Sequence, residues 1–329
     1  MTIISNLKRY AIVAALVLGV TSCSEDDTDN PVGPNIVETA IAEEDLSILV
    51  EALQITGLDE TLSGSGPFTV LAPTDETFRV ALTDLNVDSI SQVPVEILRP
   101  LLLNHVILDK ELTSETLIEA GSGYDNTAAV YDDGDDTTTD PALSIFFNTV
   151  ENKVTFNGIN VLEADIEASN GIIHKISGVL NLPRVATIAV ADSDNFSSLL
   201  AAVAKVDSDL QSGLATALFN VDSELTLFAP TNEAFSNALT ALGFNSLDDV
   251  PSETLLAILQ AHIIGDTIVR AEDLVDGDVT TLNGDITINA GDTTVLGPGN
   301  SEPANITTAN LTGINGVIHI IDSVILPEL

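Results

Sequence analysis

The sequence predicts a mixed helix-and-strand fold built twice in tandem, and three observations carry that reading. The first is self-similarity. Val70-Leu71-Ala72-Pro73-Thr74-Asp75-Glu76-Thr77-Phe78 returns as Leu227-Phe228-Ala229-Pro230-Thr231-Asn232-Glu233-Ala234-Phe235 at an offset of 157 residues, which Pro94 and Pro251, and His105 and His262, share. Asn170-Gly171-Ile172-Ile173-His174 returns as Asn315-Gly316-Val317-Ile318-His319 at an offset of 145. The second is apolar spacing that switches between helical and strand periods inside each copy. The third is a β-rich final part of each copy, closed by an Asn-Gly pair, a strong hairpin signal.

Taken in order, residues 45–53 carry Leu46, Leu49, Val50 and Leu53 on one helical stripe, matched by Phe196, Leu199, Leu200 and Val203 in 194–203. Residues 68–71 and 225–228 are short strands that run into Ala-Pro. Thr74 and Thr231 then stand where a helix wants an N-cap, with Glu76 and Glu233 in the first turn. Residues 94–105 and 251–262 are helices begun by proline. Residues 317–321 are apolar enough, around His319, for a buried strand. The 12-residue difference in offset lies between His105 and His174, where the first copy has an acidic loop at 130–141. This implies a duplication with one loop insertion. The unit boundary falls near Pro183 and Arg184, with so short a join that the copies touch or hinge tightly.

The chain of 329 residues carries 50 acidic against 10 basic side chains, a formal charge of −40. A surface this negative repels phosphates, which argues against nucleic acid and bare anionic lipid as partners. It attracts cations weakly. Trp is absent and aromatics are few, which weighs against a sugar-stacking groove. Cys23 is the single cysteine, so no intramolecular disulfide and no thiolate metal cluster can form.

Residues 1–23 read as an export signal. Lys8 and Arg9 supply the positive start, and the apolar run at 10–20 is too short to span a bilayer. Val20-Thr21-Ser22-Cys23 resembles the lipobox of bacterial lipoproteins, which makes Cys23 the expected lipid attachment site. Residues 24–35 form an acidic, Pro- and Gly-containing tether. Ser24 and the acids behind it are similar to outer-membrane sorting and surface-export signals. The expected location is an outer-membrane lipid anchor exposed at the cell surface, the alternative being its periplasmic side.

The Ala-Pro-Thr-(Asp/Asn)-Glu-x-Phe segment, the mid-domain histidine and the closing Asn-Gly-(Ile/Val)-Ile-His strand resemble the blocks of fasciclin (FAS1) domains. Both copies show them in order, giving domains at 36–184 and 185–329. The resemblance implies an α+β fold, each domain a β-wedge of two packed sheets flanked by helices. It also implies cell adhesion and extracellular-matrix contact, with a matrix or cell-surface protein or polysaccharide as partner. The family's Tyr-His pair is absent, since Asn104-His105 and Ala261-His262 stand in its place. The Asp-Ile element linked to receptor contact is matched by Asp165-Ile166, and its counterpart is Asn310-Leu311. These four are candidate partner-binding residues. For Asp165 and Ile166 the alternative is a turn-closing carboxylate beside a core side chain.

His105, His174, His262 and His319 fall at two repeat-equivalent places in apolar elements, where an imidazole can bind backbone groups. A structural role is expected of them, as of Pro73, Thr74, Phe78, Pro230, Thr231 and Phe235. No cofactor is expected, and no short motif of an esterase, nucleotide-binding loop or zinc protease is present. Asp132, Asp133, Asp135 and Asp136 form a weak Ca²⁺ candidate without EF-hand order. The expected function is therefore adhesion or matrix binding without catalysis. A structural envelope or biofilm component is the alternative, and a hydrolase a remote one.

Overall fold

The computed structural model describes residues 33–132 and 140–328. The first domain opens with helices α1 (Ile36–Ala42), α2 (Ser47–Thr56) and α3 (Leu58–Leu62), then β1 (Phe68–Pro73), α4 (Asp75–Asp84), α5 (Val95–Leu103), β2 (Val106–Leu108) and α6 (Ser114–Ala120). Strands β3 (Ser122–Val130), β4 (Ala142–Val150), β5 (Lys153–Phe156), β6 (Ile159–Ala168) and β7 (Gly171–Ile176) complete it. The second domain repeats the plan. It has α7 (Val185–Ala191), α8 (Ser193–Leu210), α9 (Leu214–Phe219), β8 (Leu225–Pro230), α10 (Asn232–Leu242), α11 (Ser252–Ala261) and β9 (Ile263–Gly265). A one-turn 3₁₀ helix at Ala271–Asp273 stands in place of α6. Strands β10 (Gly277–Thr281), β11 (Gly284–Asn289), β12 (Thr294–Leu296), β13 (Ala304–Gly313) and β14 (Gly316–Ile321) follow.

The strand order is β2-β1-β7-β6-β5-β4-β3 in the first domain and β9-β8-β14-β13-β12-β11-β10 in the second, the same topology twice. Each central pair, β1 with β7 and β8 with β14, is parallel, and its other neighbours are antiparallel. Strands β6 and β13 carry register shifts beside Asp165 and Asn310, whose φ angles are 62° and 61°. Bulges bend a strand and sharpen its twist. Here they accompany the folding of one hydrogen-bonded sheet into a wedge. Leu71, Ile107 and Ile176 from one arm pack against Ile145, Phe147 and Phe156 from the other. On the opposite face Val70, Ala72 and Ile173 meet Leu49, Phe78 and Leu98 of the helices. The second domain pairs Phe228, Ile264 and Ile321 with Ile286 and Ile288, and Leu227 and Ile318 with Phe196 and Leu259. Strands β1, β7, β8 and β14 are therefore buried along their whole length, as strands covered on both faces must be.

Thr74 and Thr231 cap α4 and α10 by accepting from the N–H of Thr77 and Ala234. Phe78 and Phe235, one turn in, are buried at 2% and 3% exposure. Pro73 and Pro230 end the central strands. Pro94 and Pro251 occupy the cap position of α5 and α11 and not the first helical one. The Asn-Gly hairpins also differ from expectation. Ala168 pairs with Gly171 and Gly313 with Gly316, so the turn residues are 169–170 and 314–315 and each glycine opens a strand. The reason is that each asparagine is buried as an anchor. Asn170 Oδ1 accepts from Ile36 N–H at 2.8 Å, and Nδ2 donates to the carbonyls of Leu62 and Gly64. Asn315 repeats this with Val185, Leu218 and Asn220. At Gly316 an added Cβ would lie 2.1 Å from the Leu225 carbonyl oxygen, and at Gly171 the same distance from that of Phe68.

The offset difference is not one insertion. The β3–β4 connection at 131–141 is long where β10 and β11 are joined by Leu282 and Asn283. Conversely, the β12–β13 loop at 297–303 is long where Asn157 and Gly158 join β5 and β6. The domains meet across a short join. Thr312 N–H donates to Ser144 Oγ at 2.9 Å, Ile314 N–H to Pro183 O at 2.7 Å, and the Tyr124 hydroxyl to the buried Asp192 carboxylate. The Tyr124 side chain also packs on the second domain's core.

Replacing Asn315 by alanine strands two carbonyls and one N–H. It should lower unfolding free energy by about 3 kcal/mol, with Asn170→Ala behaving alike, as read by urea denaturation. Tyr124→Phe leaves the Asp192 carboxylate without its hydroxyl donor across the junction. It should cost about 1–3 kcal/mol and separate the two domains' transitions in calorimetry.

Candidate functional site

Four features gather the polar chemistry: two histidine locks, the two β-bulges, an acidic groove and the domain junction. His105 lies just beyond the end of α5 and His262 caps the end of α11. Each Nδ1 donates to the carbonyl four residues back, Leu101 at 2.7 Å and Ile258 at 2.8 Å. Each Nε2 accepts a backbone N–H from the strand-following segment, Leu180 and Ile325, both at 2.9 Å. A ring that donates from one nitrogen and accepts at the other is neutral. Burial pushes both pKa values down to about 4, against a smaller upward pull from the carbonyl bond.

His174 and His319 sit on the central strands β7 and β14. Their Nε2 atoms donate to Leu112 O and Val269 O. His174 Nδ1 accepts the Asp165 N–H at 3.2 Å, whereas the corresponding nitrogen of His319 meets no partner among the described residues. Phe228 stacks on His319 at 5.5 Å. Burial lowers both pKa values, more than the carbonyl bonds and the nearby Asp165 or Glu272 raise them.

At the first bulge the Asp165 carboxylate accepts from the N–H and hydroxyl of Ser114, at the start of α6. Ile166 is half-buried against the helix-side core. Ser114, Asp165 and His174 thus lie together, but not as a Ser-His-Asp relay. The serine donates to the aspartate instead of the imidazole, and His174 Nε2 is held by a carbonyl. At the second bulge Asn310 Oδ1 accepts from Ala271 N–H and its Nδ2 donates to Glu272, both at 2.8 Å. Leu311, named above as a contact residue, pairs with Ile318 as Ile166 pairs with Ile173, and is 4% exposed inside the core. It presents no side chain to a partner.

Sequence reasoning missed the use of Asp75 and Asn232. Asp75 accepts from Ser47 Oγ and Ile48 N–H, fixing α2 onto α4, and Asn232 holds Ser198 N–H and the Asp194 carbonyl on α8. Their place in the repeated block was the available signal. Lys175, buried on β7, contacts Glu43, Asp45 and Glu163 at 2.7, 2.9 and 3.0 Å. Burial depresses its pKa, and the three carboxylates outweigh that and raise it.

An open groove of about 610 Å³ lies in the first domain beside α4, edged by Glu76, Asp84, Leu162 and Asn181. The corresponding groove beside α10 is smaller, about 390 Å³. There the β12–β13 loop hydrogen-bonds the chain end, Gly299 N–H to Leu326 O and Asn300 to Val324 and Leu326. Asp132 is exposed at the end of β3, while Asp133, Asp135 and Asp136 lie outside the described residues, as does Cys23. Among the described residues no three His, Cys, Asp or Glu side chains form a metal-holding group. Among them no helix is long and apolar enough to cross a membrane.

A doubled wedge with paired histidine locks and paired Asn anchors defines a tandem-domain protein of one fold class. The fasciclin domain matches residues 44–183 and 194–327, and the chain belongs to that family. It is similar to human periostin, 31% identical over 284 residues, with 82% of this chain and 30% of that protein covered. It is also similar to the transforming growth factor-beta-induced protein ig-h3 of Sus scrofa, 30% identical over 305 residues, with 86% and 40% covered. The chain thus spans well under half the length of these relatives. Among solved structures it is similar to the FAS1 domain pair of the insect cell adhesion molecule Fasciclin I. The TM-score there is 0.49, at 20% identity, with 84% of this chain and 95% of that one covered.

The His105 and His262 rings bind protons more readily once unfolded, so acid favours the unfolded chain. The stabilisation is whole above pH 6.5, the ordinary value. It drains away toward pH 4, on the order of 3 kcal/mol for each ring. NMR should show neither imidazole titrating between about pH 7 and pH 5, and His262→Gln should flatten that part of the stability–pH curve.

Proposed function

We propose that the chain is a lipid-anchored adhesion protein on the outside of a bacterial cell, holding matrix polymers or a partner protein and performing no catalysis. What carries this reading is the fasciclin pair itself, two domains of one seven-strand topology joined by the Tyr124–Asp192 and Thr312–Ser144 contacts. The lipobox-like Val20-Thr21-Ser22-Cys23 and the acidic tether support display at the outer membrane. Of the four candidate contact residues, Asp165 and Ile166 remain partly accessible, and Asn310 sits at the matching bulge. The groove edged by Glu76 and Asp84 offers a second, acidic contact face. Acidic edges favour partners with basic or cation-bridged groups, and their contribution falls with salt. Many anchored copies would add avidity to weak single contacts.

Attachment of cells to a matrix-coated surface is the test. Cys23→Ala, which removes the lipidation thiol, should weaken attachment by about 100-fold or more as multivalent display is lost. A soluble 24–329 fragment should compete with wild-type cells for the surface. Undiminished attachment in the variant, together with no competition by the fragment, overturns the proposal.

A further inference from the structure

The second domain holds an apolar cavity of about 150 Å³ among α7, α8, α9, β8 and the end of α11. Ala186, Val203, Ala204 and Leu218 are among its walls. His262 also lines it, but both ring nitrogens are engaged by backbone groups, so the ring adds no free polar atom. Val190 and Phe219 stand at the rim, 50% and 45% exposed, and carry the apolar lining out to solvent.

The repeat shows how the space arises. Helices α1 and α7 correspond residue for residue, and Ala186 stands where the first domain has Val37. On the shared stripe of α2 and α8, Leu199 matches Leu49, and Val203 stands where the first domain has Leu53. Val37 and Leu53 are buried in the first domain's core, at 7% and 2% exposure. The same two places are truncated in the second copy. Helix α8 also runs on to Leu210, and α9 follows across 211–213 in place of the single Gly57.

We propose that this cavity is a binding site for the end of an alkyl chain with an uncharged head. Apolar cavities of about this size stay dry and admit a guest of roughly six carbons. With no free polar group to orient a polar ligand, recognition rests on shape and desolvation. A linear guest continues outward over Val190 and Phe219. A carboxylate head is disfavoured by the chain's charge of −40.

The test titrates 1-octanol into the soluble chain beginning at Ser24, followed by methyl NMR and thermal melting. The methyl signals of Ala186, Val203 and Leu218 should shift saturably, and Tm should rise with octanol concentration. Octanoate should bind more weakly than octanol. Ala186→Val with Val203→Leu restores the first domain's residues. It should melt no lower than wild type without octanol and lose the octanol response, and Ala186→Val alone should retain part of it. Absence of saturable shifts at those methyls overturns the proposal. So does an octanol response undiminished in a folded filled variant.

Discussion

Everything in each domain hangs on one parallel strand pairing, β1 with β7 and β8 with β14. Because the paired strands stand far apart in sequence, this contact closes each domain and demands that both strands be buried on both faces. The close approach at its start leaves no room for a Cβ at Gly171 or Gly316. The asparagine just before each glycine satisfies the backbone of the opening helix and of the α3 or α9 region. At the far end a histidine ties the α5 or α11 terminus to the segment leaving the central strand. A buried backbone group without a partner is costly. These side chains supply partners for backbone groups at both ends of the long-range pairing, where regular hydrogen bonding stops.

Much of this was legible in the residues. The repeated Ala-Pro-Thr block announced a strand, a cap and a helix, and Thr74, Thr231, Phe78 and Phe235 act accordingly. The four histidines read as backbone partners because they recur in apolar stretches, and the structure gives each at least one backbone bond. Other features depend on tertiary position and had no local signal. Asp75 looks like an ordinary first-turn acid, yet it serves a helix some 28 residues earlier. Leu311 is the counterpart of Ile166 and faces the same core, but only Leu311 is fully buried, a difference in depth that neither dipeptide announces. The Asn-Gly pairs named the hairpins correctly and misplaced the turn by one residue, since propensity for a turn was overridden by burial of the asparagine.

The copies share topology and differ in what surrounds it. Lys175, ringed by three carboxylates, has Ile320 as its counterpart, so one domain fastens its first helices to the sheet by charge and the other by apolar contact. The loop at 297–303 fills part of one groove and leaves its partner groove open. Truncations at Ala186 and Val203 leave space in one core where the other is filled. Duplication has kept the pairing rules and released the periphery.

The Tyr124–Asp192 contact and the Ser144–Thr312 bond, closed over a join of few residues, hold the two domains against each other. A surface that touches both domains at once finds them already aligned. The orientational freedom that a hinged pair would surrender on contact has been given up during folding. For the proposed adhesive role, contacts at this seam would let two modest footholds act as a single broad one, at a spacing that the covalent chain sets in advance.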